Sequence, residues 1–444
     1  MKTLIKTLFM TKKLLPYTAL CACLLFTATA CTSDDLDVTE VKTSAGSRAT
    51  ATPKLSDIGV QYNNQSVTVS SQLTGLGDLK LRIYGFSYSK TNPNPGWGSA
   101  QESIRKSVRN IDEEGNFSTE LKLTIDQEYW VRAYAVVQDQ TTSENDTVWG
   151  QPVQVALKKK LPAVETLPVT NRARLGACVF ARFTDPGNRN LTKWGVCYST
   201  SPKPTAKGLV ETARDTCKTK GYEGEFGVFL QELQPKTLYH VRAFAITEDN
   251  DTVYGQERIF RTTLGGQYTW QWASNYEGAV SAGAAVRITQ AMDSAAYYYN
   301  NYSNLHLSAR VEYNEGVPTA DCSYGGWIRF GKGERYQWVG TAQHETSHGL
   351  GVGTAWNWRT LLNYDGDRIW TGKCGQRTLR AVMHDQTQNL KGDNQHMWPG
   401  GINQREEVTN GTTNSYGEAI RNERMLRANA MICNALQVDG LACP

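Results

Sequence analysis

Along residues 80–260 the apolar positions alternate with polar ones in short runs. In residues 129–135 (YWVRAYA), Tyr129, Val131 and Ala133 fall on one face of an extended chain, and the residues between them fall on the other. A period of two residues is typical of half-buried β-strands. Clusters of Gly, Pro, Asn and Asp separate the runs, so this part of the chain is predicted to be all β.

The β-rich region contains one unit twice, in copies offset by 110 residues at two matches and by 105 at a third. The change of offset predicts a shorter hairpin loop in the second copy. Roughly 100 residues of short strands per copy favour a β-sandwich, so domains are predicted at residues 53–158 and 159–263 and are expected to act as spacers. The matching pairs are 84–89 (YGFSYS) with 194–199 (WGVCYS), 129–135 (YWVRAYA) with 239–245 (YHVRAFA), and 146–151 (DTVWGQ) with 251–256 (DTVYGQ).

From residue 264 onward helical and strand periods are mixed. Apolar side chains between Ile288 and Tyr299 recur at i, i+4, i+7, i+8 and i+11, which places them on one face of a helix. An α+β domain is therefore predicted over residues 264–444. Its predicted elements are a helix over about 286–299, strands at 307–313 and 325–331, a helix over 336–350 that ends in a Gly-rich turn, and a last helix from about 416 to 436.

The N-terminus has the features of an export signal. Lysines precede an apolar stretch over 14–30, and small residues lead directly to Cys31. This arrangement resembles the lipobox of bacterial lipoproteins, in which the signal is cut before a Cys that then carries lipid; the alternative is an ordinary secretory signal. The resemblance implies a signal peptide over 1–30, lipidation of Cys31 and a polar tether over 31–52. Acidic residues after Cys31 resemble a surface-export signal of Gram-negative lipoproteins, so the expected location is the outer membrane, at the cell surface.

Composition limits the expected partners. Charged residues make up 20% of the chain, with 47 Lys and Arg against 43 Asp and Glu, and no sustained basic run favours nucleic acid. No stretch after the signal is long and apolar enough to span a bilayer, so the lipid is the only expected membrane attachment. Seven cysteines follow Cys31, and an odd number leaves at least one thiol unpaired. Two pairings are guesses, Cys433 with Cys443 and Cys322 with Cys374.

The candidate chemistry lies in residues 344–358 (HETSHGLGVGTAWNW). His344 and His348 are four residues apart on the predicted helix, so both imidazoles can reach one metal ion. Glu345 is placed to act as general base on an attacking water. The H-E-x-x-H pattern is typical of zinc hydrolases, so Zn²⁺ is the expected cofactor. The alternative is a solvated helix whose histidines bind nothing, and the strands before the motif argue against it.

The motif does not fix the third ligand. Residues 344–351 (HETSHGLG) match the start of the metzincin pattern H-E-x-x-H-x-x-G-x-x-H, but Thr354 stands where its last His belongs. Two histidines remain downstream. His384 lies on a predicted helix, whereas His396 lies in a Gly- and Pro-containing aromatic loop, and rigid loops commonly carry sites. His396 is therefore preferred to His384, and the next alternatives are Asp365, Asp367 and Asp393.

Three resemblances extend this interpretation. The repeats resemble the fibronectin type III-like repeats of bacterial surface lipoproteins, an immunoglobulin-like sandwich class. The order of elements around H-E-x-x-H resembles the zincin metallopeptidase fold. Residues 344–358, 370–372 (WTG) and 396–403 (HMWPGGIN) together look like a module of secreted bacterial proteins that often lies beside glycan-binding domains, although its members often have Tyr where Gln404 stands.

These resemblances imply a cell-surface lipoprotein whose zincin-like domain hydrolyses peptide bonds of extracellular proteins or glycoproteins. His344, His348 and His396 would hold the zinc, and Glu345 would be the general base. The alternative is a non-enzymatic adhesin or glycan-binding protein with a structural or degenerate metal site. Its sugar-stacking candidates are Trp356, Trp358, Trp370 and Trp398.

Overall fold

The structure is a computed structural model, and it describes residues 52–97, 104–213, 224–273, 280–403, 412–413, 419–420 and 422–444. The predicted signal peptide, Cys31, nearly all of the tether and Gln404 lie outside the described residues. Within the described part of the chain, no helix is long and apolar enough to cross a membrane. Contacts divide the chain into two compact units, of which the first includes Ser70–Thr119 and Val131–Val153 and the second includes Gln154–Pro444.

The two predicted repeats share one strand order. Each has a four-stranded and a five-stranded sheet. In the first repeat the sheets are β1-β3-β2 with β6 beside β3, and β5-β4-β7-β8 with β9 beside β7. In the second repeat they are β10-β12-β11 with β15 beside β12, and β14-β13-β16-β17 with β18 beside β16. In the first repeat the strands are β1 (Lys54–Leu55), β2 (Gly59–Tyr62), β3 (Val67–Thr74), β4 (Lys80–Ser89), β5 (Ile104–Ser107), β6 (Asn116–Leu121), β7 (Glu128–Gln138), β8 (Asn145–Trp149) and β9 (Val153–Ala156). In the second they are β10 (Ala163–Thr166), β11 (Asn171–Arg172), β12 (Ala177–Asp185), β13 (Leu191–Ser199), β14 (Leu209–Thr212), β15 (Gly224–Leu230), β16 (Leu238–Thr247), β17 (Thr252–Tyr254) and β18 (Arg258–Arg261).

The repeated residues have the same local roles in both copies. Gly85 and Gly195 both have φ of +157°, and a Cβ at either would lie 2.0 Å or 2.2 Å from a carbonyl oxygen of the neighbouring strand. The hydroxyls of Tyr129 and Tyr239 each accept a hydrogen bond from the main-chain amide five residues earlier, as in the tyrosine corner of immunoglobulin-like sandwiches. The repeats are thus β-sandwich-like and consistent with fibronectin type III-like or immunoglobulin-like domains.

The C-terminal part is a mixed α+β structure around one sheet of order β19-β20-β22-β21. The strands β19, β20 and β22 are parallel, and β21 pairs antiparallel with β22 at one edge. The elements are β19 (Gln267–Trp272), α1 (Ala282–Tyr302), β20 (His306–Tyr313), β21 (Ala320–Ser323), β22 (Trp327–Phe330), α2 (Val339–Gly349), α3 (Trp358–Leu361), α4 (Lys373–Met383), β23 (Lys391–Gly392), β24 (Met397–Trp398), β25 (Thr412–Thr413), β26 (Ala419–Ile420) and α5 (Asn422–Val438).

The helices and strands predicted in this region are present, with shifted ends. The helix that carries H-E-x-x-H begins at Val339 because residues Glu334–Tyr336 form a separate 3-10 turn. The last helix begins at Asn422 and not near Tyr416, which lies outside the described residues. The strands β19 and β21 were not predicted. Both complete the sheet, and β21 also packs against α2.

The second repeat and the C-terminal part share a hydrophobic core. Cys178, Phe180 and Phe229 of the repeat belong to the same buried cluster as residues of α1, α4 and α5. Inside the contact, the fully buried Asn171 donates from Nδ2 to the Thr378 hydroxyl at 2.9 Å and to a main-chain carbonyl of α5 at 3.0 Å. The second repeat is therefore joined to the domain by buried apolar and polar contacts, and its role as a spacer stays a prediction.

Every cysteine in the described residues is a free thiol, so both guessed disulfides are wrong. Cys322 lies on β21, where a Cβ on Gly349 would be 3.3 Å from its sulfur, whereas Cys374 begins α4 and donates its amide to Asp439. The two therefore occupy different parts of the domain. The free thiols are Cys178, Cys197, Cys322, Cys374, Cys433 and Cys443.

Candidate metal centre

The helix α2 holds the first two candidate ligands in the domain interior. It packs against α1, α5 and β21, and His344 and His348 are only 7% and 8% exposed. The four-residue spacing puts both rings on one side, with their Nε2 atoms 3.2 Å apart. His348 Nδ1 lies 2.8 Å from the carbonyl oxygen of Val352, and donation to that oxygen leaves the lone pair on Nε2.

The turn after α2 explains why Thr354 is no ligand. Gly351 has φ of +111°, a left-handed conformation that glycine adopts without steric cost, and the chain reverses there. The Thr354 hydroxyl then donates to the carbonyl of His348. Thr354 therefore closes the end of the helix, and the third ligand position is left to another segment.

His396 lies in the hairpin between β23 and β24, and two contacts fix this hairpin. Gly353 has φ of +73°, and a Cβ there would lie 2.0 Å from the carbonyl oxygen of Gln395, so only glycine allows the turn after α2 to approach this closely. The indole of Trp358, itself 1% exposed, donates to the carbonyl of Asp393 at 3.0 Å. The hairpin is thus packed against the segments that follow α2.

The three histidines converge. One ring nitrogen each from His344, His348 and His396 lie within 4.8 Å of one another, and the ring centroids are 4.8, 5.3 and 5.4 Å apart. Zn–N bonds of 2.0–2.1 Å place two nitrogens on one tetrahedral zinc about 3.4 Å apart. The pair on α2 already fits, and the third nitrogen needs to move by about 1.4 Å at most. Three imidazoles also suit copper, nickel or iron, so the donor set does not choose zinc alone.

Burial favours the neutral rings that a metal needs. Loss of solvation lowers the pKa of His344 to about 3, and the neighbouring His348 and His396 add to this effect. Burial also lowers the pKa of His348. Both rings are therefore neutral near pH 7, and a neutral imidazole can donate a lone pair to a metal.

Glu345 is a buried carboxyl with spare hydrogen-bonding capacity. It is 2% exposed, and its Oε2 has no hydrogen-bond partner among the described residues. Burial raises its pKa to about 8, and the nearby carboxylate of Asp321 on β21 adds to the shift. A bound dication would act in the opposite direction and favour the carboxylate. A buried group of this kind near a cluster of histidines marks a candidate site.

The other candidate ligands lie elsewhere. His384 ends α4 with φ of +53°, and its ring lies beside the Arg424 guanidinium and 3.6 Å from a carboxylate oxygen of Glu211. The Asp365 side chain is 94% exposed, and Asp367 accepts hydrogen bonds within its own loop. These three are not brought to the histidine cluster.

Asp393 does reach the cluster, but as a partner of His396. Its Oδ1 accepts the main-chain amides of Gln395 and His396 at 2.7 Å each, and its Oδ2 lies 3.3 Å from His396 Nδ1. A carboxylate on Nδ1 orients the ring and directs Nε2 toward a metal. Asp393 was predicted only as an alternative ligand, although its position three residues before His396 was a signal for this supporting role.

Changing Asp393 to Asn tests that role. The amide oxygen of Asn can still accept the two main-chain amides, but its NH₂ group faces the Nδ1 proton of His396. We therefore expect zinc affinity to fall by about 10- to 100-fold without loss of folding. Competition with a chromophoric chelator measures the affinity, and a thermal melt of the metal-free protein is the control. Unchanged affinity would mean that Asp393 only shapes the hairpin.

Comparisons with known proteins add little to this geometry. No family model matches the chain, and no curated protein matches it. Among solved structures, the chain is similar to the first three fibronectin type III domains of chicken CNTN1, at 14% identity and a TM-score of 0.19, over 48% of this chain and 69% of that one. A likeness of this size does not bear on function, and the description of the repeats rests on their strand order and shared contacts.

Proposed function

We propose that this protein is a metal-dependent hydrolase, and in particular a lipid-anchored cell-surface zinc peptidase that cleaves extracellular proteins or glycoproteins. The observation that carries the proposal is the convergence of His344, His348 and His396, two of them on the helix that also carries the buried Glu345. A purely structural zinc site would not need a buried carboxylate next to its first ligand. The parallel sheet with an antiparallel edge strand packed against α2 supports a zincin-like domain, and the lipobox-like sequence before Cys31 supports the anchor.

Metal binding, proton transfer and peptide binding fall to different residues in this proposal. His344, His348 and His396 would hold a Zn²⁺ ion, which when bound would make a water molecule more acidic and polarise a carbonyl. Glu345 takes a proton from the attacking water and delivers it to the leaving amine. The edge strand β21 lies on the Glu345 side of α2, and an extended peptide can add to such an edge through main-chain hydrogen bonds. That pairing would hold a peptide bond near the carboxylate.

The test uses the purified full chain. Metal content after exposure to Zn²⁺ is measured by plasma mass spectrometry, and cleavage is measured by mass spectrometry on unfolded proteins and on a mucin-type glycoprotein. We expect one zinc per chain and cleavage that stops when a chelator removes the metal. If the folded protein holds no zinc, or cleaves equally well without metal, the proposal is wrong.

A second candidate function is glycan binding, and one observation favours it. Of the four tryptophans proposed from the sequence to stack on sugars, Trp358 and Trp370 are each 1% exposed and belong to the core. Trp356 is 86% exposed and Trp398 is 43% exposed. An exposed indole offers a large amphipathic contact surface, and these two lie on the segments next to the histidine cluster.

Changing Trp356 to Ala tests this function. We expect binding to any glycan captured by the wild-type protein on an array to weaken by at least about tenfold, since an exposed Trp supplies much of the contact energy of a binding surface. The matched control is Trp327→Ala, because Trp327 is 51% exposed on strand β22 of the sheet. Equal losses in both variants, or a wild-type protein that captures no glycan, would contradict the assignment.

A further inference from the structure

The segment that follows His396 is held by side-chain hydrogen-bond donors that are buried or half-buried. Asn429 of α5 donates from Nδ2 to the carbonyl of Gly400 at 2.9 Å. The Trp338 indole donates to the carbonyl of Asn403 at 2.9 Å, and the Thr341 hydroxyl donates to the same oxygen. Two main-chain carbonyls within seven residues of His396 therefore accept bonds from side chains at the start of α2 and on α5.

Asn429 connects this segment to the helix of the other two ligands. Its side chain is fully buried, and its Oδ1 accepts from the Tyr299 hydroxyl at 3.0 Å. The same hydroxyl lies 3.2 Å from the carbonyl oxygen of Gln343, the residue before His344. The single proton of Tyr299 is shared between these two oxygens, so the amide of Asn429 and the phenol of α1 place the His396 segment next to α2.

The opposite side of α5 is fixed by the second repeat. Asn434 donates from Nδ2 to Asn171 Oδ1 at 2.7 Å, and Asn171 donates to the carbonyl of Met431 at 3.0 Å. The helix that carries Asn429 is therefore also held by the second repeat. Movement of Gly400 relative to α2 would break buried hydrogen bonds. A buried polar group left without its partner is costly, which makes the arrangement stiff.

We propose that Asn429 is a positioning residue for the metal centre: it holds the Gly400 segment, and through it keeps His396 within reach of a metal ion shared with His344 and His348. This inference rests on the proposed function. His344 and His348 are fixed to each other by the helix, but His396 comes from a distant segment. Its nitrogen must stay within a few tenths of an ångström of one place for tight binding. Asn429 supplies that constraint because its Nδ2 donates to the Gly400 carbonyl and its Oδ1 accepts from Tyr299 of α1.

The test compares Asn429→Asp with Asn434→Asp in the full chain. The Asn429→Asp variant would keep an acceptor for Tyr299 but turn a carboxylate oxygen toward the Gly400 carbonyl, which repels it. Asn434 is a matched buried amide on the same helix, but it faces the second repeat. Tyr299→Phe, which removes only the hydroxyl, is a milder variant that keeps the ring packing. The readouts are Zn²⁺ affinity by chelator competition, the visible spectrum after Co²⁺ loading, and the thermal melt of the metal-free protein.

We expect Asn429→Asp to weaken zinc binding by about 10- to 100-fold and to change the Co²⁺ spectrum, and Tyr299→Phe to do so to a smaller degree. Asn434→Asp should lower the melting temperature of the metal-free protein about as much as Asn429→Asp does. It should leave the zinc affinity and the Co²⁺ spectrum unchanged. Equal effects of the two Asn variants on affinity would reduce Asn429 to a stability role and overturn the inference. So would wild-type affinity in Asn429→Asp. A wild-type protein that binds no Zn²⁺ would overturn the proposed function itself.

Discussion

A His396→Ala variant is expected to lose zinc, with affinity reduced by more than about 100-fold, because loss of even a supporting partner of a ligand costs 10- to 100-fold. His344 and His348 alone offer two nitrogens from one helix face, and catalytic zinc sites use three protein ligands. The His396 side chain is 42% exposed, so its removal leaves no buried cavity and should hardly affect folding. Metal content by plasma mass spectrometry and peptide cleavage should therefore fall together, while the melt of the metal-free protein stays the same.

The matched control is His384→Asn. His384 has φ of +53°, and Asn tolerates this left-handed conformation better than Ala does. Its ring lies beside Arg424 and Glu211, away from the histidine cluster. Zinc content should stay at the wild-type level in this variant. If His384→Asn loses the metal and His396→Ala keeps it, the third ligand has been assigned to the wrong histidine.

The second large effect is expected for Glu345→Gln. Gln has nearly the same shape, so the buried site should fold and keep its metal, but an amide cannot take a proton from water. General acid–base groups contribute about 10²- to 10⁴-fold to a rate, and kcat should fall by that factor. The measurement is cleavage of the best substrate from the screen by the zinc-loaded variant, with zinc content determined on the same sample.

The two variants separate metal binding from catalysis. His396→Ala should lose both, whereas Glu345→Gln should lose only cleavage. A Glu345→Gln protein that cleaves at the wild-type rate would show that another group takes the proton. A Glu345→Gln protein without zinc would mean that the carboxyl supports the metal site, and the peptidase mechanism would then lose its general base.

Much of the secondary structure was predictable because its signals are local. The face formed by Ile288, Met292 and Tyr299 follows the helical period, and all three are buried in α1. The strand β20 alternates as predicted as far as Val311, and Glu312 and Tyr313 at its end are both buried. The repeat was visible in the sequence because Gly85 and Tyr129 of the first copy recur as Gly195 and Tyr239 of the second. The role of each depends on the conformation of a few neighbouring residues.

The strands β19 and β21 escaped prediction for different reasons. In β19, Tyr268, Trp270 and Trp272 alternate with polar residues, so the signal was present in a single short run. In β21 none of the four residues is fully buried, because the strand lies at the edge of the sheet. An edge strand without a buried face carries little hydrophobic pattern.

The third ligand could not be derived from a local sequence pattern. His348 and His396 are 48 residues apart in the chain, and no period links them. The loop composition around His396 favoured it over His384, but the distances come from contacts made elsewhere: Gly353 against Gln395, and Trp358 with Asp393. The supporting role of Asn429 was not visible in the sequence, because an Asn has no signature until its partner is known. The role of Asp393 had one signal, its position three residues before His396.

The sequence by itself determined the repeats, most of the helices and strands, and the pairing of His344 with His348, since a helix places residues four apart on one face whatever surrounds it. Only the tertiary structure decided which distant histidine joins them, which tryptophans are exposed, and that the second repeat shares a core with the domain. The physical reason is the distance along the chain over which each effect acts. Backbone periods act over a few residues, whereas burial and the satisfaction of polar groups depend on segments that meet only after the whole chain has packed.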